Sequence, residues 1–257
     1  MIPPRLHFIW IQDSKPFSSL EYYSLKSALK NTPYHIHLHT NLQPGQAGPL
    51  DPFPLQNERF TIHQRDYVCE YKGVKIRPPM LSDLLRIKVL QEYGGIYSDL
   101  DMIWLAPLPF DLTAYSMVAP WQNQSYKIVA TYVLAVQENY DFFPLQQTFE
   151  TIFDKFIKKN QTEVTGLTLD EYLLLYKATA LFFRDRADLL LKKKYFEKNS
   201  WKNIWRFLTN QIPEEKIILK DICGIHICGC GLFGKYKCNT TELLTKHTKL
   251  RALCQSL

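Results

Sequence analysis

The sequence predicts an α/β fold built on a mainly parallel sheet with crossover helices. Three observations carry this. Leu6-His7-Phe8-Ile9-Trp10-Ile11 is a compact apolar run of strand length, as in a strand covered on both faces. Residues 34–40 alternate strictly, the period of two that marks a strand. Residues 81–93 have a helical apolar pattern, close on Gly94-Gly95 and pass directly into the strand-like segment from Ile96 to Leu105. The order β-α-β, then α-β, favours a parallel sheet.

Taken in order, residues 5–11 form a buried first strand. Ser18 or Ser19 caps a helix that runs through Leu29, with Glu21 in its first turn. The next strand sets His35, His37 and His39 on one side and Tyr34, Ile36 and Leu38 on the other. Residues 41–57 are rich in Pro, Gly and Gln and read as a loop. Pro78-Pro79 precede the second helix, whose apolar side is Leu81, Leu84, Leu85 and Ile87. Its end falls at Gly94-Gly95, where glycine permits a left-handed cap. The stretch 141–207 reads as mostly helical, residues 216–219 as a strand and residues 223–234 as a glycine-rich loop region. With no internal repeat and no linker, residues 1–257 are expected to form a single domain, with 141–207 as a helical accessory region.

Composition narrows the class. At 257 residues the chain is long enough for a sizeable core. With 46% hydrophobic and 22% charged residues it is not disordered. A net charge of +6 is too small to argue for nucleic acid. The apolar run at the start is too short for a signal peptide, and no stretch approaches the ~18 apolar residues of a membrane span. The expectation is therefore a cytoplasmic protein. In that setting free thiols are the default for the six cysteines, Cys69, Cys223, Cys228, Cys230, Cys238 and Cys254.

The chemistry concentrates in Ser82-Asp83-Leu84-Leu85-Arg86 and Gly94-Gly95-Ile96-Tyr97-Ser98-Asp99-Leu100-Asp101. Asp83 and Arg86, three apart on a helix, share a face. Tyr97, Asp99 and Asp101, two apart on a strand, share another, near the strand's carboxyl end where α/β sheets bind ligands. Two carboxylates side by side repel, and a divalent cation relieves this. Mg²⁺ or Mn²⁺ takes one or two carboxylates and completes its shell with diphosphate oxygens and water, whereas zinc prefers His or Cys.

These segments resemble the DXD-containing glycosyltransferase sugar-binding family. That family includes fungal initiating mannosyltransferases, capsular polysaccharide sugar transferases and the glucosylating domains of large bacterial toxins. Its signature is S-D-x-x-R, a helix, then G-G-x-Y-x-D-x-D. Ile2-Pro3 and His7-Phe8-Ile9-Trp10-Ile11 also look like the family's I-P-K-x-I-H-x-x-W-I opening.

The resemblance implies a GT-A-type, Rossmann-like fold with helices on both faces of the sheet. It implies a retaining transferase that moves a sugar from a nucleotide-sugar donor, with a UDP-sugar favoured, onto a glycan, glycolipid or protein acceptor. Mn²⁺ (or Mg²⁺) is the implied cofactor and polysaccharide biosynthesis one implied setting. Trp10, with Ile9 beside it, would stack on the base. Asp83 and Arg86 would hold the donor sugar, Asp99 would contact ribose or sugar hydroxyls, and Tyr97 would support the pocket. Asp101, with Asp99, would ligate the metal, and His226 is the candidate for the late metal ligand. The sequence departs from the family at Gln12-Asp13, where many relatives carry a glycine pair. It departs again at Cys228-Gly229-Cys230-Gly231, where a Ser-Trp is expected.

Other features have plainer explanations. His7 reads as a satisfied buried histidine, and His35, His37 and His39 as a polar strand face rather than a metal site. The cysteines lack paired C-x-x-C knuckles. The basic, aromatic stretch 192–207 reads as a solvated lysine face, with peripheral contact to an anionic membrane as the alternative. Two rival functions stand beside sugar transfer. One is a catalytically degenerate nucleotide-sugar or glycan-binding module. The other is a two-carboxylate hydrolase, which the placement of both carboxylates on one strand disfavours.

Overall fold

A computed structural model describes residues 1–12, 17, 19–46, 57–72, 74–123, 127–160, 169–196 and 221–227. The first half follows the expected order. It consists of β1 (Arg5–Trp10), α1 (Ser19–Asn31), β2 (His35–Thr40), β3 (Phe60–Gln64), a short hairpin of β4 (Glu70–Tyr71) and β5 (Val74–Lys75), α2 (Pro78–Tyr93), β6 (Gly95–Ser98) and β7 (Met102–Trp104). Then come β8 (Met117–Asn123), β9 (Ile128–Val129), β10 (Val133–Val136), α3 (Phe143–Asn160), α4 (Leu169–Arg186), β11 (Leu189–Leu191) and β12 (Gly224–His226).

The main sheet has the order β11-β8-β10-β6-β1-β2-β3, with β9 beside β8. Strands β3, β2, β1 and β6 form a parallel block. Strand β10 runs antiparallel to β6 and β8, and β11 runs parallel to β8. The fold is thus α/β with a mostly parallel sheet. Helices cover both faces because the central strands are apolar on both. Ile9, Tyr97, Leu134 and Val136 pack with α2, α3 and α4. Leu6, Phe8, Ile36, Leu38, Ile96 and Val133 pack on the opposite side with Leu25, Ala28 and Leu29 of α1. A one-residue slip of any central strand would exchange the two sets, so the two cores fix the register.

Several expectations need correction. Helix α2 begins at Pro78, so the prolines are its first turn rather than a lead-in. This is chemically sound, because proline there gives up an N–H that has no intrahelical partner. Gly94 closes the helix at φ 60°, its N–H donating to Leu90 O. Residues 96–105 are not one strand. Strand β6 stops at Ser98, a turn spans Asp99 to Met102, and β7 belongs to a separate two-stranded sheet with β12. The largely helical stretch also holds a strand, β11, whose apolar triplet extends the main sheet. The strand expected at 216–219 lies outside the described residues, as do Cys228, Cys230, Cys238, Cys254 and residues 197–207 of the basic stretch.

The histidine face of β2 is packed rather than solvated. His7 Nε2 lies 2.9 Å from Gly94 O and its Nδ1 3.1 Å from His39 Nε2, while His37 Nδ1 lies 2.8 Å from His63 Nε2. His39 and His63 stack at 4.5 Å, and Tyr93 closes the row. A carbonyl only accepts, so His7 donates through Nε2 and accepts from His39 through Nδ1. Burial and the neighbouring imidazoles hold His37 and His39 down at about 3, and burial holds His7 well below the usual range.

Among the described residues, no helix is long and apolar enough to cross a membrane. Cys223 is a free thiol, and burial pushes it up to about 12.

Candidate active site

The site forms at the carboxyl end of β6. Gly95, at φ 94°, lets the chain turn from helix to strand in tight quarters: a Cβ there would sit 2.7 Å from Arg5 O. Tyr97 then points to the α2 side of the sheet, where Asp83 and Arg86 are buried on the helix. Arg86 Nη2 pairs with Asp83 Oδ1 at 2.7 Å and lies 3.7 Å from Asp99 Oδ1. Its guanidinium also lies over the Tyr97 ring at 4.6 Å, and Nη1 donates to Thr131 O at 3.0 Å. The Tyr97 hydroxyl donates to Asp99 Oδ1 at 2.6 Å.

Asp99 and Asp101 do not project from a strand. They occupy a turn in which Met102 N donates back to Asp99 O at 3.3 Å. The turn carries both carboxylates to one side and delivers the chain into β7. Strand β12 pairs antiparallel with β7, setting His226 opposite Met102, and Ile227 N donates to Asp101 O at 2.9 Å. His226 Nε2 therefore reaches Asp101 Oδ1 at 3.1 Å. One ligand atom from each of Asp99, Asp101 and His226 lies within 4.8 Å of the others.

The electrostatics suit a cation. Burial raises Asp83 to about 6, although Arg86 opposes the shift. Burial also raises Asp99, with Arg86 again opposing and Asp101 adding to the rise. Arg86 thus does not fully offset the burial of these carboxyls and the smaller effect of the neighbouring carboxylate, and a divalent ion would favour their ionised form. Two carboxylates and an imidazole are a donor set that fits Mn²⁺, which accepts oxygen readily and tolerates nitrogen better than Mg²⁺ does.

Trp10 stands at the carboxyl end of β1, half-buried. It is edge-on to Phe17 at 5.4 Å, with its indole N–H donating to Gln12 Oε1 at 3.0 Å. Ile9 lies in the core beneath α2, so only its backbone can face a ligand. Gln12 is tied to Asn41, whose Oδ1 accepts from Gln12 N at 2.6 Å and whose Nδ2 donates to Gln12 O at 3.1 Å. Asp13 is outside the described residues.

Sequence reasoning missed the support behind the turn. Ser24 Oγ donates to Met102 O at 2.7 Å, Ser27 Oγ accepts from Trp104 N at 2.9 Å, and Asn31 Nδ2 donates to Trp104 O at 2.8 Å. These polar side chains of α1 satisfy one edge of β7 much as a neighbouring strand would. Their spacing of three and four was the available signal, but a polar helical stripe reads first as a solvent face.

This fold and site define a class: an α/β protein presenting paired carboxylates and an imidazole at a strand end. Residues 18–129, somewhat under half of the chain, match the family described as glycosyltransferase sugar-binding region containing DXD motif. The match takes in Ser82 to Asp101 whole, so the resemblance read there holds, while Trp10 and His226 lie beyond it.

Among curated proteins, the chain is 26% identical over 176 residues to Subversion of eukaryotic traffic protein A of Legionella pneumophila. That match covers 64% of this chain and spans 27% of the relative's length. Among solved structures it is similar to the galactosyltransferase LgtC in complex with donor and acceptor sugar analogs (TM-score 0.49, 12% identity, covering 98% of this chain and 96% of that one). It is also similar to the PaToxG glycosyltransferase (TM-score 0.46, 16% identity, 98% and 87%). A third is the glycosyltransferase GlyE of Streptococcus pneumoniae TIGR4 (TM-score 0.48, 14% identity, 88% and 55%).

Proposed function

We propose that this protein is a metal-dependent retaining glycosyltransferase that uses a nucleotide-sugar donor, with a UDP-sugar favoured. One observation carries the reading: Asp99, Asp101 and His226 converge on one point in a chain that matches a DXD glycosyltransferase family. Those three residues would hold the ion, Mn²⁺ before Mg²⁺. When bound, it supplies the Lewis acidity that makes a diphosphate a good leaving group.

The remaining roles fall to side chains whose geometry suits them. Trp10 offers an indole face to the base at the rim of the sheet. Asp83 and Arg86 form a rigid pair for the sugar hydroxyls, since Arg86 is held at once by Asp83, Thr131 and the Tyr97 ring. Asp99, oriented by Tyr97, accepts from ribose or sugar hydroxyls. Helices α3 and α4 form the first part of the accessory region and would shape the acceptor side, within one catalytic unit spanning residues 1–257. The acceptor is a glycan, a glycolipid or a protein side chain.

The test is a panel of UDP-glucose, UDP-galactose, UDP-GlcNAc and GDP-mannose, each with and without Mn²⁺, read by thermal shift and nucleotide release. Stabilisation and release by one donor only with metal supports transfer. Asp101→Asn should then abolish metal-dependent release and leave the melting temperature near the parent's. Metal-independent hydrolysis would sink the reading. Donor binding without turnover would favour a degenerate nucleotide-sugar-binding module.

A further inference from the structure

We infer that Tyr132 is a positioning residue that orients the His226 imidazole for the cation, an inference that rests on the metal-site reading above. The Tyr132 ring packs on the His226 ring with centroids 4.4 Å apart and planes 30° apart. Tyr132 is itself fixed. It is 4% exposed, and its carbonyl accepts from Asp99 N at 2.9 Å. Phe196 meets its ring edge-on at 6.0 Å, and Trp104 meets Phe196 edge-on at 6.2 Å. The residue before it, Thr131, receives the Arg86 guanidinium. One bend in the chain thus touches the Arg86 guanidinium, the backbone N–H of Asp99 and the His226 imidazole.

The imidazole requires this kind of support. Pairing of β12 with β7, and the bond from Ile227 N to Asp101 O, fix the backbone of His226. They leave its ring torsion open, and that terminal torsion is intrinsically broad. A nitrogen ligand binds an ion through a lone pair lying in the ring plane, so rotation of the ring swings the lone pair away. Strand β12 has only three residues and is held on one side by β7. The flat face of Tyr132 restricts the rotation and keeps Nε2 aimed at the Asp99–Asp101 turn.

The experiment measures Mn²⁺ affinity of the full chain without donor, by electron paramagnetic resonance of the free ion, together with the metal-free melting temperature. Tyr132→Phe keeps the ring and should bind within about two-fold of the parent. Tyr132→Leu, with Tyr132→Met as a second ring-free variant, should bind about 10–100-fold more weakly, the range for losing a residue that orients a ligand. On a His226→Ala background, removing the Tyr132 ring should cause no further loss of affinity. A general structural role would instead weaken binding equally with and without His226, and that result overturns the proposal. So does parental affinity in the ring-free variants. If His226→Ala binds weakly while the ring-free variants bind normally, only the role of Tyr132 fails. If the parent binds no Mn²⁺, or His226→Ala binds as the parent does, the metal site with His226 as a ligand fails, and this proposal fails with it.

Discussion

The Tyr97 hydroxyl and the Asp99 carboxylate are joined at 2.6 Å across the end of β6, where the strand gives way to the turn. The bond connects a buried aromatic residue to the first acid of the D-x-D pair. Tyr97→Phe should therefore lower donor turnover by roughly ten-fold and cost about 1.5 kcal/mol of stability, the low end for a hydrogen bond to a charged group. Urea denaturation and kcat/KM with the best donor check it. Unchanged turnover would mean that Asp99 keeps its place through Arg86 alone.

Arg86 lies between two carboxylates, 2.7 Å from Asp83 and 3.7 Å from Asp99. Arg86→Met strands both charges and should cost about 3–5 kcal/mol at pH 7. The deficit should shrink on acidification. Asp83 has its folded value raised to about 6, above the ordinary 3.8, so its charge destabilises the fold above about 6 and that cost fades as protons bind. Loss of Arg86 pushes this value higher still. Denaturation at pH 7 and pH 5 tests the sign. A deficit that grows at pH 5 would contradict the assigned buried pair.

Trp10 packs edge-on against Phe17, leaving the question of what its face serves. Trp10→Ala should weaken nucleotide binding by about 1–3 kcal/mol, the worth of one stacked base. Calorimetry with UDP measures this. Unchanged affinity together with a large drop in melting temperature would assign Trp10 to the core.

The histidine row makes stability depend on acidity. His37 and His39 are lowered to about 3 by burial first and by His63 next, with His35 and Arg5 adding at His37, and His37 and Arg65 adding at His39. Glu92 acts the other way on His63. In the unfolded chain these rings take protons near 6.5. Stability should accordingly be full above that value and fall between about 6.5 and about 3 as the unfolded state gains protons that the fold refuses. The slope is about 1.4 kcal/mol per pH unit for a fully shielded ring such as His39, and less for the half-exposed His37. His39→Gln should flatten the profile by one ring's share. An unaltered slope would mean that His39 titrates normally in the fold.

The parts most legible in the sequence were those with strong local signals. Strand β1, the alternation of β2 and the glycine stop of α2 follow from periodicity and backbone freedom, so they read correctly to within a few residues. The identity of Asp83, Arg86, Asp99, Asp101 and His226 came from a motif and a resemblance, and the fold brings all five together. What periodicity could not give was the turn. Leu100 and Met102 are as apolar as strand residues, because both are buried in the same core as Ile96 and Trp104 although a turn separates the two strands. The serines and asparagine of α1 were equally opaque, since their partners are backbone groups of a strand distant in sequence. Tyr132 had no local signal at all, because its importance rests on a ring contact made across that same distance.

The split between β6 and β7 has a consequence for assembly order. The parallel block and the D-x-D turn draw on the first half of the chain, whereas the imidazole comes from a three-residue strand near the far end of the described sequence. Joining β12 to β7 closes a long loop late, after local elements have formed. An ion bound by all three side chains would act as a clasp on that closure, stabilising the joined form alone and slowing its release.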